Sequence, residues 1–391
     1  MAGGRRRQGA SGAMKVFLIA GEPSGDALGA ALMAGLVRLS PAVSFEGIGG
    51  EAMAGEGLVS RFPMSELTVM GIAEVLPRYA HLKRRIRETA EAVIAARPDV
   101  LITIDSPDFC LRVARRVRAV SDVRIVHYVA PSVWAWRPGR ARKMADLVDQ
   151  VLALLPFEPP YFEAEGLRCD FVGHPVTAAP VASPAEAQAF RAARGLGRRP
   201  VILALPGSRR SEVSRLAAPF GAALARVIAA RPEARVVLPV APGVAELAAE
   251  AAKGWPGEPL LIPPGDAAQK RAAFRAADVA LAASGTVSLE LAAAETPMVI
   301  AYDQPWLTRI IVKRMLRIDT VTLVNLVSGT RAVPEFLNEA CRPGPISDAL
   351  LTLLDAPGGQ RAAMAETMRR LGRGGDPPGL RAARAVLDAL G

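Results

Sequence analysis

The chain has 391 residues, 51% hydrophobic and 22% charged, which suits about two globular domains and excludes an intrinsically disordered protein. A formal net charge of +10 favours anionic partners, whether a phosphorylated substrate, an anionic membrane or a nucleic acid. Three scattered cysteines, Cys110, Cys169 and Cys341, fit no metal or redox spacing and read as reduced cytosolic thiols.

Residues 1–13 are basic and run straight into a strand without an apolar core of about 7–15 residues, so a disordered leader is expected, with Met14 an alternative start. Short apolar runs at 16–20, 43–48, 100–104, 123–128 and 150–155 then alternate with helical-period stretches such as 82–97 and 111–120. Nearly continuous apolar strands between helices predict a parallel sheet covered on both faces, here in a first domain over 14–174. Prolines, alanines and small polar residues at 175–199, with one short helix near 185–194, read as a linker. A second series follows in a domain over 200–391: strands at 201–205, 235–240, 260–262, 279–283 and 298–302, helices at 217–230, 244–253 and 269–276. The last helix, 379–390, is free to pack on either domain. The expected fold class is α/β, two doubly wound Rossmann-like units with ligands at the carboxyl ends of their strands and a cleft between the units as the default active site. No run of about 18 apolar residues lacks charge, so no span of a bilayer is expected.

Several chemistries are excluded. No lysine directly follows a glycine, so there is no phosphate-binding P-loop, and no G-x-S-x-G elbow occurs. His81, His127 and His174 have no ligand spacing, so no metal is expected. Gly47-Ile48-Gly49-Gly50 begins a weak dinucleotide fingerprint, but Gly55 and Gly57 interrupt the helix it needs; no nicotinamide and no other cofactor is expected.

The positive signals sit at strand ends. Gly21-Glu22-Pro23-Ser24-Gly25-Asp26 follows the first strand and opens a helix; Ser24 is suited to cap it, and two acids suit a sugar hydroxyl better than a phosphate. Asp105 and Asp108 flank a proline at the end of a very apolar strand, with Asp105 read as a general base and Asp108 as the next helix cap, or both as caps. Trp134 and Trp136 occupy a proline-rich loop and serve as a sugar platform or, more commonly, an anchor; His127 before them reads as a core histidine. Further on, Gly207-Ser208-Arg209 offers close approach, a hydroxyl and a guanidinium fork for a diphosphate. Ser284-Gly285-Thr286 opens a helix with Glu290 one turn in, a pattern suited to phosphate at the amides and a ribose diol on the glutamate. Apolar residues 67–76 before Lys83-Arg84-Arg85, and the mixed apolar and cationic run 305–317, fit either an interfacial lipid contact or ordinary core packing.

In order, the segments Gly21–Asp26, Val69–Ile72, Ile104–Phe109, His127-Tyr128, Pro131–Trp136, Pro206–Arg209, Ser284–Glu290 and Asn325-Leu326 resemble the lipid-A-disaccharide synthases, from Met14 to the C-terminus. That resemblance implies a GT-B-like architecture and an inverting transfer of 2,3-diacylglucosamine from UDP-2,3-diacylglucosamine to the 6-hydroxyl of 2,3-diacylglucosamine 1-phosphate. It implies Asp105 as catalytic base. Substrate contacts are expected at Gly21, Ser24, Gly25, Asp26, Asp108, Ser208, Arg209, Ser284, Gly285, Thr286, Glu290 and Asn325, and acyl-chain contacts at Val69, Met70 and Ile72. The expected setting is the cytoplasmic face of the inner membrane, with no nucleic-acid partner and a homodimer left open. Arg210 after the usual arginine, and Pro23 in the first loop, depart from the family pattern. The nearest rivals are another UDP-sugar enzyme of the same architecture, such as a UDP-GlcNAc 2-epimerase or a lipid-II-type transferase, and a non-enzymatic binder of anionic lipid or nucleic acid. The segments at 104–109 and 131–136 favour the disaccharide synthases over the other sugar enzymes.

Overall fold

A computed structural model of the chain describes residues 14–67, 72–135, 139–305, 309 and 318–391; for 72–79 it describes the backbone alone. Two compact units emerge, one from residues 14–175 together with Asp376–Gly391, the other Val176–Gly375.

In the first unit the strands are β1 (Lys15–Ala20), β2 (Ser44–Ile48), β3 (Val100–Ile104), β4 (Arg124–Tyr128), β5 (Gln150–Ala153) and β6 (Arg168–Phe171). Between them run α1 (Pro23–Leu39), α2 (Glu51–Gly55), α3 (Ile72–Ala96), α4 (Pro107–Arg118), α5 (Gly139–Ala145) and α6 (Pro159–Glu163). All six strands are parallel, in the order β2-β1-β3-β4-β5-β6. The reason is visible in β1 and β3: Val16–Ala20 and all of β3 are buried, so both faces of each strand need a helical cover. One face packs Phe17, Leu101 and Ile125 against Val93 of α3 and Val113 of α4. The other packs Leu18, Ile102 and Tyr128 against Leu32 and Met33 of α1.

The second unit repeats the plan. Its strands are β7 (Val201–Leu205), β8 (Arg235–Pro239), β9 (Leu260–Ile262), β10 (Val279–Ala282), β11 (Met298–Tyr302) and β12 (Glu335–Leu337), ordered β12-β11-β10-β7-β8-β9 and all parallel. Its helices are α7 (Pro184–Ala193), α8 (Arg210–Ala230), α9 (Ala245–Ala252), α10 (Ala267–Ala276), α11 (Val287–Ala293), α12 (Leu323–Ser328), α13 (Pro343–Asp355) and α14 (Gln360–Arg370). By length and composition α8 resembles a membrane span, yet its Val213, Leu216, Phe220, Leu224 and Val227 are buried in this unit's core.

Residues 175–199, read above as a linker, carry α7, which opens with a capping box between Ser183 and Glu186. That helix is tied to the second unit by Arg191, which donates to Ala276 O at 2.8 Å and to Asp278 at 2.7 Å. The final helix, α15 (Pro378–Leu390), returns to the first unit, where Ala382, Ala383 and Val386 complete the α1 side of the core. Gly35 of α1 permits the approach: a Cβ there would stand 2.7 Å from Gly379 O. Gln150 donates to Ala385 O at 3.0 Å, and Arg381 to Phe171 O at 2.9 Å.

Strand order locates the ligand crevices. From β1 the chain crosses to β2 on one side and from β3 to β4 on the other, so the sheet switches direction between β1 and β3. In the second sheet the same switch lies between β7 and β10. Loops leaving these four strands diverge and leave an open crevice at their carboxyl ends.

Candidate active site

The first crevice is built from the loops after β1 and β3. Register pairs Ala20 with Ile104, so Gly21 and Asp105 leave the sheet side by side. Gly21 leaves room there for Ser106, whose Oγ would lie 2.6 Å from a Cβ. Asp105 and Ser106 both adopt left-handed backbone, at φ 50° and 41°, and such non-glycine residues cost about 1–3 kcal/mol each. The Asp105 amide donates to Tyr128 O at 2.9 Å, pinning the turn to the neighbouring strand. Asp105 is partly buried, and its carboxylate has no hydrogen-bond or ion-pair partner among the described residues. A carboxylate held in place by backbone yet without a partner is able to take a proton from a substrate hydroxyl.

The other acids here are occupied. Asp26, read as a substrate contact, is 6% exposed and accepts from the amides of Gly50 at 2.7 Å, Ala52 at 2.9 Å and Met53 at 3.1 Å. It closes the N-terminus of α2 from a distance of more than twenty residues. Asp108, read as a helix cap or substrate contact, is exposed and pairs with Arg140 at 3.4 Å; the cap position of α4 belongs to Ser106, whose hydroxyl makes no capping bond. Ser24 is likewise no cap. The helix starts at Pro23 behind Glu22, leaving Ser24 exposed in the first turn and Gly25 packed on Ile104.

Trp134 serves as an anchor, buried with its Nε1 donating to Glu158 at 3.2 Å and its ring edge-on to Phe157 at 5.1 Å. Glu158 is buried with it, and burial pushes its carboxyl up to about 7. His127 sits in the core, 2.8 Å from Thr103 Oγ1, where burial, followed by the charge of Arg140, pushes it down to about 4 and keeps it neutral. Val69 and Met70 lie outside the described residues, as do Trp136 and all of 306–317 except Arg309; Ile72 begins α3, with nothing further described of its side chain.

The second crevice is a cavity of about 530 Å³ in the second unit, lined by Gly207, Ser208, Arg209, Ser284, Gly285, Thr286 and Glu290. The strand switch thus brings together two motifs some 75 residues apart in the chain, as the pairing of Leu205 with Ala282 requires. Gly207 has φ 118°, and a Cβ on it would strike Glu212. Glu212 accepts from the amides of Ser208 at 3.0 Å and Arg209 at 3.2 Å, and its other oxygen pairs with the Arg209 guanidinium at 3.3 Å. An internal carboxylate therefore rests on the donors that suit a diphosphate. Arg209 is 69% exposed and reaches into solvent.

Glu290 pairs with Lys270 at 2.6 Å. Lys270 and Glu212 both line the cavity, and neither was singled out from sequence. A glutamate at the third position of α8 is an ordinary capping signal, and Lys270 joins the site only through sheet order. Asn325 is placed otherwise. Fully buried in α12, it donates to Thr320 and to Val333 O at 2.9 Å and accepts from Val333 N at 3.0 Å, outside the cavity lining.

Comparison with known proteins adds the family. The lipid-A-disaccharide synthetase family model matches residues 16–373. The lipid-A-disaccharide synthase of Ruegeria pomeroyi is 64% identical over 96% of this chain and 96% of its own length. That of Rhodospirillum centenum is 48% identical over 96% and 94%. Among solved structures, the UDP-GlcNAc 2-epimerase of Neisseria meningitidis bound to UDP-GlcNAc superposes with a TM-score of 0.62 at 12% identity, covering 96% of this chain and 99% of its own. MurG of Acinetobacter baumannii gives 0.55 at 13% identity, with 96% and 99% covered. The structural likenesses speak for the two Rossmann-like units alone, whereas the sequence relatives span nearly the whole chain, and on their account the chain belongs to the lipid-A-disaccharide synthetase family of glycosyltransferases.

Proposed function

We propose that the chain transfers 2,3-diacylglucosamine from UDP-2,3-diacylglucosamine to the 6-hydroxyl of 2,3-diacylglucosamine 1-phosphate, releasing UDP with inversion. The observation that carries this, within its family, is the second-unit cavity, where backbone amides, a guanidinium and a carboxylate converge at a strand switch. The largely exposed Arg209 guanidinium binds the diphosphate and offsets negative charge as UDP departs, and the Ser208 and Arg209 amides join it as the Glu212 carboxylate gives way. Ser284, Gly285 and Thr286 take the other side of the phosphates, and Glu290 takes the ribose. In the first unit Asp105 accepts the 6-hydroxyl proton as that oxygen attacks the anomeric carbon; direct displacement needs no covalent intermediate.

The substrates carry acyl chains, so the enzyme works at a membrane surface, on the cytoplasmic face of the inner membrane. Exposed arginines of α4, Arg112, Arg115 and Arg116 among them, support an electrostatic attraction to anionic lipid. The test is direct: both substrates in detergent with folded protein yield a disaccharide 1-phosphate and UDP. Asp105→Ala abolishes product while UDP still binds. Absence of product with the unaltered chain overturns the reaction; unchanged turnover in the variant overturns Asp105 as base.

A further inference from the structure

Lys270 occupies the first half of α10, whose start is fixed by Asp266 accepting from Gln269 N at 2.9 Å. Its ammonium lies 2.6 Å from Glu290 Oε2 and 5.1 Å from the centroid of Phe274. Phe274 is one turn further along the same helix and buried, so its ring is a fixed platform under the cation. All three residues line the cavity. At the far end, α10 is tied to the turn that follows α11: Arg275 donates to Ala294 O at 2.9 Å and pairs with Glu295 at 2.8 Å. Thr296 adds a bond to Phe274 O at 2.6 Å. Lys270 with Glu290 joins the same two helices at the cavity end.

An ion pair as exposed as this, 45% and 43%, contributes little to stability by itself. Its effect is geometric. Oε2 of Glu290 is engaged by Lys270, whereas Oε1 has no partner among the described residues. We propose that Lys270 is a positioning and specificity residue for the nucleoside diphosphate: by holding Oε2 it presents Oε1 to a ribose hydroxyl, so that discrimination between ribose and deoxyribose depends on Lys270. This rests on the reading of Glu290 as the ribose contact.

The experiment measures binding of UDP, 2′-deoxy-UDP and 3′-deoxy-UDP to the full chain and to Lys270→Met, Lys270→Arg and Glu290→Gln, each checked for unchanged melting. A site built around a hydroxyl rejects the ligand that lacks it, so the unaltered chain favours UDP over one deoxy form by about tenfold or more. In Lys270→Met that ratio falls to about threefold or less, as it does in Glu290→Gln, and Lys270→Arg restores most of it. A Lys270→Met protein that binds every ligand more weakly but keeps the full ratio overturns the proposal, since Lys270 then acts as a phosphate contact or a scaffold. A ratio that Glu290→Gln also leaves intact removes the ribose contact itself, and both readings fall together.

Discussion

Replacing Asp26 with asparagine separates a substrate contact from a structural one. In the native loop Oδ1 accepts from Gly50 N at 2.7 Å and Met53 N at 3.1 Å, while Oδ2 accepts from Ala52 N at 2.9 Å. α2 has only five residues, so its first amides have little else to bond, and a negative charge at that end is favourable. Asparagine keeps one oxygen for two of the donors but sets its own N–H group against the Ala52 amide. One charge-assisted bond is lost, worth about 1.5–3 kcal/mol, and the other two lose their charge. A local destabilisation of about 2–3 kcal/mol follows, which at about 1.4 kcal/mol per tenfold raises amide exchange at Gly50, Ala52 and Met53 by roughly 30- to 150-fold. Hydrogen exchange resolved by mass spectrometry reads this directly, with β7 in the other unit as an unaffected reference. Unchanged exchange around α2 together with a higher KM for the acceptor would refute the structural reading and restore Asp26 to the substrate.

Arg209→Lys is expected to raise the donor KM by about tenfold, because a single ammonium cannot reproduce a planar fork; steady-state UDP release measures it, and an unchanged KM removes Arg209 from the diphosphate. Gly21→Ala drives a methyl onto Ser106 Oγ, 2.6 Å away, and lowers activity, whereas adding Ser106→Ala recovers much of it; a double variant no better than the single places the fault elsewhere. For Glu158 the folded carboxyl titrates at about 7, above the usual 4.5, so the stability of its neutral form is complete below pH 4.5 and lost as pH rises through 7. Urea unfolding followed by tryptophan fluorescence at pH 5 and 8 thus shows a fall of up to about 3 kcal/mol that Glu158→Gln lacks; equal pH dependence in both proteins refutes it.

Strands such as β1, β3 and β7 were legible in sequence because burial on both faces leaves a nearly unbroken apolar run. β6 and β12 were not. Reading Arg-Cys-Asp-Phe and Glu-Phe-Leu, they lie at sheet edges and are strands by virtue of pairing with β5 and β11. The docking of α15 was equally hidden, since it turns on two glycines more than 340 residues apart, Gly35 and Gly379. The site divided in the same way. Motifs at strand ends announced themselves locally, but strand order, which brings Arg209 and Glu290 into one cavity, is a long-range property with no local signature.

Partnership sorts the acids better than position does. Asp26, Asp108, Glu212 and Glu290 all stand at strand ends or first turns, where a carboxylate is suggestive of chemistry. Each has a partner: three amides, an arginine, two amides with an arginine, and a lysine. A carboxylate held by such donors leaves its place only at the cost of those bonds. Asp105 is the exception among these five: its backbone is pinned in a strained turn while its oxygens have no partner among the described residues. The strain is maintained by the bond to Tyr128 O and by the tight seat of Ser106 on Gly21, neither of which touches the carboxylate. A first unit that ties down Asp26 and Asp108 and holds Asp105 by its backbone alone leaves that carboxylate available for its proposed role as base.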